Sequence, residues 1–268
     1  MNTSVEWRDV KYNEIFEQEL RGLERRRKSD PHCTAADIEG VLQSVASAGY
    51  DGVEIGFHRL NADDSENYVK YLRENNLEQA AIHIGGNYND AESVKQQIAN
   101  IPRLIKFTHA VGCKNIVSSG SPADYGTDYK SVCENINKLG KVLNENGLTL
   151  SYHNHDWEIK DDCFGLYALC DNTDPEYLSF ATDVGWVERG GGDPVSVVKR
   201  LGNRIALLHF KEYKKDGGIT ELGIGVVNFK EVYETLNKNI WIISEQDGSD
   251  IGADISVKRN CEFIKGIL

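Results

Sequence analysis

The 268-residue chain lacks several signatures that would assign it at once. No apolar run approaches the roughly 20 residues that cross a bilayer. The first residues, MNTSVEWRDV, contain no apolar stretch, so no secretory signal is expected there. The six cysteines (Cys33, Cys113, Cys133, Cys163, Cys170, Cys261) form no C-x-x-C pair. They read as buried reduced thiols, which places the protein in the cytoplasm and argues against a cysteine zinc cluster. No G-x-G-x-x-G follows an early strand, which disfavours an open dinucleotide-binding sheet. Basic residues are also in deficit: 30 Lys and Arg against 42 Asp and Glu give 30 − 42 = −12. Such a surface repels phosphate backbones and argues against nucleic acid as a partner. A charged fraction of 27% and a hydrophobic fraction of 40% are those of a folded globular chain, with no sign of a membrane protein.

What is present is alternation. Strand-like runs are expected at Asp51–Gly56, Gln79–Ile84, Asn115–Gly120, Leu148–His155, Leu178–Trp186, Ile205–Tyr213 and Trp241–Asp247. Their starts lie roughly 30 residues apart, the length of a strand-plus-helix unit. Helical patterns fall between them at Ala35–Ala48, Asp90–Val111, Asp128–Asn146, Asp193–Leu201, Asn228–Asn237 and Asp254–Ile267. Asp193-Pro194 is an N-cap followed by a first-turn proline, and Gly147 suits a left-handed C-terminal cap. Asp171–Pro175 is a turn cluster. These units predict an α/β (β/α)₈ barrel over residues 35–268, with an atypical or missing first strand. Residues 1–34 form a separate charged segment: 14 of the first 30 residues are charged, and Ser4–Val10 is only a weak strand. The run Arg25-Arg26-Arg27-Lys28 reads as a solvated helix face.

Strand parity then nominates a site. Barrel strands alternate between axis and outer face. His83, His153, His155, Asp183, His209, Lys211, Glu245 and Asp247 all fall on the inward parity, near the C-terminal ends of their strands. In this architecture chemistry sits at that end. Burying several such groups unpaired costs several kcal/mol each, and one shared divalent cation removes that cost. Mixed imidazole and carboxylate ligands suit Mn²⁺, Fe²⁺, Co²⁺ or Zn²⁺, whereas Mg²⁺ prefers oxygen alone. Each residue also has a plainer role open to it: a hydrogen-bonded core histidine, an N-capping Asp, a solvated Glu. Coincidence of four at one parity favours the metal.

The segments AGYDGVEIG (48–56), YHNHDWE (152–158), TDVGWVERGGGDP (182–194), RIALLHFKEY (204–213), ELGIGVVNF (221–229) and SEQD (244–247) resemble the sugar phosphate isomerase/epimerase family of xylose-isomerase-like barrels. The resemblance is to an HNH-type branch with keto-sugar and inositol-pathway enzymes. It implies one divalent metal held by Asp183, His209, Glu245 and a fourth group. The family's usual first Glu is absent, and His153 stands in its place; Glu158 reaching back, or water, are the alternatives. It further implies a small-molecule sugar, sugar phosphate, keto-sugar or inositol derivative as substrate. The implied reaction is isomerisation or epimerisation through proton removal beside a carbonyl and an enediolate. A lyase or dehydratase acting at the same site is the runner-up, and a non-catalytic sugar-binding or decayed barrel is the third reading. A related endonuclease family sits poorly with the acidic charge, and a homo-oligomer is left open.

Roles follow on the same basis. Glu245 is expected to be ligand and base, with Glu158 or His155 opposite it. Lys211 would hold a substrate oxygen or donate a proton, or merely pair with Glu245 or Asp247. His83 would bind a sugar hydroxyl and Trp186 would offer a ring face, or both would serve packing. Gly223 and Gly225 suggest a phosphate cradle or simply a tight turn, and Glu54 is expected to orient a ligand histidine.

Overall fold

The computed structural model describes residues 36–121, 129–237 and 239–268. The weak strand at Ser4–Val10 and the charged segment 1–34 lie outside them. The elements run α1 (Ala36–Ala48), β1 (Gly52–Gly56), α2 (Ser65–Glu74), β2 (Glu78–Gly85), α3 (Ala91–Val111), β3 (Asn115–Ser119), α4 (Tyr129–Asn144), β4 (Thr149–His153), α5 (Lys160–Asn172), β5 (Ser179–Asp183), α6 (Val184–Arg189), α7 (Pro194–Leu201), β6 (Ile205–Phe210), α8 (Phe229–Glu234), β7 (Trp241–Ser244) and α9 (Ala253–Ile267). All seven strands pair in parallel, in the order β1 to β7. The result is a nearly closed barrel. At its seam the Trp241 indole lies against Gly52: a Cβ on Gly52 would stand 3.0 Å from the ring.

Two apolar layers hold this arrangement. The larger lies between sheet and helices, from Leu42 and Val45 on α1 round to Cys261 and Ile264 on α9. The smaller fills the barrel axis with Ala81, Val117, Ala181, Leu207 and Ile243 from five strands. Two residues further along each of these strands stand His83, Ser119, Asp183, His209 and Glu245. The polar mouth therefore sits one inward step, about 7 Å, above the apolar plug.

Helix ends are set by local chemistry. Asp193 accepts from the Val195 and Ser196 amides, with Pro194 in the first turn. Asp90 caps α3, and Gly112 closes it in the left-handed conformation at φ +73°. Gly147, also at φ +73°, ends the turn after α4. The strands expected at Ile205–Tyr213 and Trp241–Asp247 stop at Phe210 and Ser244, and the helix expected at Asn228–Asn237 stops at Glu234. Three further expectations need correction. Leu178–Trp186 is not extended throughout, because Asp183 accepts from the Trp186 amide and starts α6 at Val184. The Leu148–His155 strand stops at His153, where Asn154 turns aside to bond the Asp183 main chain. Helices α2 and α5 were not foreseen: α2 buries only Tyr68 and Leu72, a stripe too thin to read, and α5 opens with Asp161, Asp162 and Cys163 at positive φ.

Close packing of α4 relies on Gly140. A Cβ there would meet the Tyr177 carbonyl oxygen at 2.0 Å. Gly140→Ala should lower stability by about 1–3 kcal/mol through overpacking. Urea unfolding checks this: the midpoint should fall with the slope unchanged.

Candidate metal centre at the barrel mouth

Parity carries four chemically distinct side chains to one point. His153 ends β4, Asp183 ends β5, His209 lies on β6 and Glu245 follows β7. Each offers a ligand atom within 4.8 Å of the others, and all four residues are buried. Glu245 Oε2 lies 2.7 Å from His209 Nδ1 and 3.1 Å from His153 Nε2. His153 Nε2 is 3.5 Å from Asp183 Oδ2. That Oδ2 is buried and accepts no hydrogen bond among the described residues. An acceptor so placed, among two imidazoles and a second carboxylate, is what a divalent cation requires. The two carboxylates would match its charge, and the mixed N/O set fits the first-row metals named above. The residues fit a metal ion; nothing in them selects which.

Surrounding groups hold Asp183 and His209 in place. Asp183 Oδ1 accepts from the Trp186 amide at 2.8 Å. Asn154 bonds the Asp183 backbone in both directions, at 3.0 and 3.1 Å. Asp183 is thus both the N-cap of α6 and a member of the cluster. Glu54, on β1, reaches His209 Nε2 at 3.2 Å and His83 Nδ1 at 2.9 Å. His83 Nε2 is 2.9 Å from Ser119 Oγ. His83 therefore stands at the mouth with both nitrogens engaged by the protein.

Lys211 is buried, with Nζ 2.6 Å from Asp247 Oδ2, 3.3 Å from Glu245 Oε1 and 4.5 Å from the Trp186 ring centroid. Trp186 joins an aromatic wall. Its ring lies 5.3 Å from His155 and 5.5 Å from Tyr213, and His155 stacks on Trp157 at 4.1 Å. Burial, then the charge of His153, pushes the His155 imidazole down to about 2, so it stays neutral. Burial also opposes protonation of His153, but Glu245 and Asp183 outweigh it and raise that group to about 9.

One expected partner is elsewhere. Glu158 does not join the cluster. Its Oε1 accepts from the Tyr152 hydroxyl at 2.6 Å and its Oε2 from the His155 amide at 2.7 Å. Tyr152 is on the helix-facing parity of β4, so Glu158 is drawn behind the strand, where burial raises its pKa. Ser119, Asn154 and Trp157 were not nominated as site residues. Ser119 shares the inward parity of Val117, so the signal for it existed.

Residues 42–266 match the model of the xylose isomerase-like TIM barrel family. The chain belongs to that family. An inosose dehydratase from Geobacillus kaustophilus is 23% identical, over 77% of this chain and 79% of its own. One from Mesomycoplasma hyopneumoniae is 26% identical, over 86% and 89%. A sugar phosphate isomerase/epimerase structure from Parabacteroides distasonis superposes with a TM-score of 0.71 at 20% identity, covering 98% of this chain and 96% of that one. At that identity the likeness is one of fold.

A cation bound at this cluster would have to displace the proton that His153 carries. Below about pH 9 His153 is protonated and above it neutral, so affinity for Mn²⁺ or Co²⁺ should rise about tenfold per pH unit up to that point. Titration calorimetry in two buffers of different ionisation enthalpy should count about one proton released per ion at pH 7. Asp183→Asn keeps an oxygen for the Trp186 amide but loses the charge. It should weaken metal binding by more than about 100-fold with the fold intact, since even outer-shell losses cost 10–100-fold.

Proposed function

We propose that the protein is a divalent-metal-dependent dehydratase acting on a polyhydroxylated cyclic ketone of the inosose type. The observation that carries this reading is the one-sidedness of the carboxylates. Asp183 comes from β5 and Glu245 and Asp247 from the segment after β7, while Glu54 on β1 is engaged with His209 and His83. The wall from β2 to β4 presents His83, Ser119, His153 and, just past β4, His155 instead. Glu158, the carboxylate expected opposite Glu245, has both oxygens engaged behind the strand. Epimerisation with two carboxylates needs one on each face of the reacting carbon. Elimination needs a base and an acid that can share one side, and Glu245 with Lys211 supplies them. Similarity to the inosose dehydratases lends the same support.

The cation, when bound, polarises the ketone and its neighbouring hydroxyl and so acidifies the adjacent C–H. Glu245 places Oε2 toward the two imidazoles and Oε1 toward Lys211. Oε1 takes the proton from the carbon beside the carbonyl. Lys211 Nζ gives a proton to the departing β-hydroxyl, which leaves as water, and a double bond forms in conjugation with the carbonyl. Asp247, at 2.6 Å, holds Lys211 Nζ in place beside Glu245. Trp186 and the His155–Trp157 stack offer flat faces to a ring, and neutral His155 adds no competing charge.

Isomerisation or epimerisation of a keto-sugar is the second reading. It rests on the same Glu245, and on Lys211 or His83 returning the proton to carbon. One experiment separates the two. The metal-loaded protein is incubated in D₂O with inososes and with ketohexoses. Dehydration yields a conjugated enone seen by ultraviolet absorbance, with water lost by mass. Isomerisation yields an isomer of unchanged mass apart from deuterium. Glu245→Gln should abolish both exchange and product. Lys211→Met should cut kcat by about 10²–10³ with metal affinity retained, the range for a lost acid catalyst. Full activity in Glu245→Gln would refute the assignment.

A further inference from the structure

The Trp186 ring stands at the mouth with no hydrogen bond of its own to fix it. Its main chain is secured, since the Trp186 amide donates to Asp183 Oδ1 at 2.8 Å. Its indole Nε1 is buried and has no hydrogen-bond partner among the described residues. The ring is therefore placed by neighbouring side chains. Lys211, His155 and Tyr213 line it from the pocket side and from the segment after β6. A further neighbour, Arg189, has no part in the proposed reaction.

Arg189 ends α6 one turn after Trp186, so the two side chains share a helix face. Its Cζ lies 5.3 Å from the Trp186 ring centroid and 4.7 Å from that of Tyr213, in range for cation–π attraction to both. Its Nη1 donates to the Gly217 carbonyl at 3.2 Å. Gly217 lies at the turn of a short hairpin. There Tyr213 and Ile219 pair antiparallel, the Lys214 amide donates to the Gly218 carbonyl at 2.6 Å, and Gly217 takes φ +84°. The hairpin is moored on another side as well, where Lys214 Nζ meets Asp250 Oδ2, past β7, at 3.2 Å. One guanidinium thus joins the indole, the Tyr213 ring and a tethered turn. A planar fork of donors can bond the carbonyl and face the rings together, which an ammonium does less well.

We propose that Arg189 is a positioning residue for substrate-ring recognition: its guanidinium clamps the Trp186 ring against the Tyr213 hairpin and keeps that wall flat beside Lys211. That Trp186 meets a substrate ring rests on the function proposed above. The clamp on the indole does not depend on it.

Full-length wild type, Arg189→Ala and Arg189→Lys are loaded with Zn²⁺, which leaves fluorescence unquenched, and titrated with acrylamide. Trp186→Phe isolates the Trp186 signal. Quenching of Trp186 should rise in Arg189→Ala and return toward wild type in Arg189→Lys, which keeps a cation over the rings. Calorimetry with a pentahydroxycyclohexanone should show binding about two- to fivefold weaker in Arg189→Ala, the worth of one exposed cation–π contact. Zn²⁺ affinity and melting temperature should match wild type in both variants, because Arg189 is exposed and touches no ligand residue. Unchanged quenching overturns the clamp. Altered quenching with unchanged ketone binding overturns its role in recognition, and a parallel loss of Zn²⁺ affinity marks general loosening and overturns it too. Absent ketone binding to wild type would remove the functional reading, and quenching would still decide the clamp.

Discussion

Two imidazoles and two carboxylates share a buried point less than 5 Å across, and the rest of the mouth is arranged around that concentration of charge. Without compensation it would be costly, because each buried ion loses its hydration. The metal-free chain compensates with a proton, which is why His153 is held charged to about pH 9. A divalent cation would compensate better, since it would also satisfy Asp183 Oδ2, which accepts no hydrogen bond among the described residues. Neither solution would be available if any of the four strands slipped by one residue. Such a slip would turn the side chain outward and bring its chain neighbour to the axis instead. The apolar plug of Ala81, Val117, Ala181, Leu207 and Ile243 holds that register. The barrel core thus does for the site what a rigid chelator does for an ion.

Carboxylates at this mouth are sorted by what the backbone does with them. Glu158 is tied to Tyr152 and the His155 amide, and Glu212 to three amides of its own loop. Both are removed from chemistry by hydrogen bonds that keep them in place. Asp183 is half removed: one oxygen starts α6 and the other faces the cluster. Glu245 is the member whose two oxygens face two imidazoles and an ammonium. The division of labour comes from hydrogen bonding, because all four are glutamate or aspartate.

Much of this was legible beforehand. The strand-plus-helix period revealed the barrel, since a parallel strand needs a helix to return the chain. Parity placed His153, Asp183, His209 and Glu245 inward, because side chains alternate on any strand whatever its neighbours. The plain and the chemical readings of Asp183 proved compatible, as it is both cap and cluster member. The same logic overextended β5 through Trp186 and β4 through His155. Side-chain bonds from Asp183 and Asn154 ended those strands, and no periodicity reports such bonds.

The one-dimensional pattern therefore determined which residues alternate, which segments pair and which side chains line the axis, because these depend on local backbone geometry. Where loop residues point was decided only in three dimensions. Glu158 turned behind β4 because Tyr152 waits there, and Glu212 took three amides of its own loop because Gly225 lets the loop close upon it. Those outcomes rest on contacts between distant or oppositely facing residues, and on space that a missing Cβ leaves open.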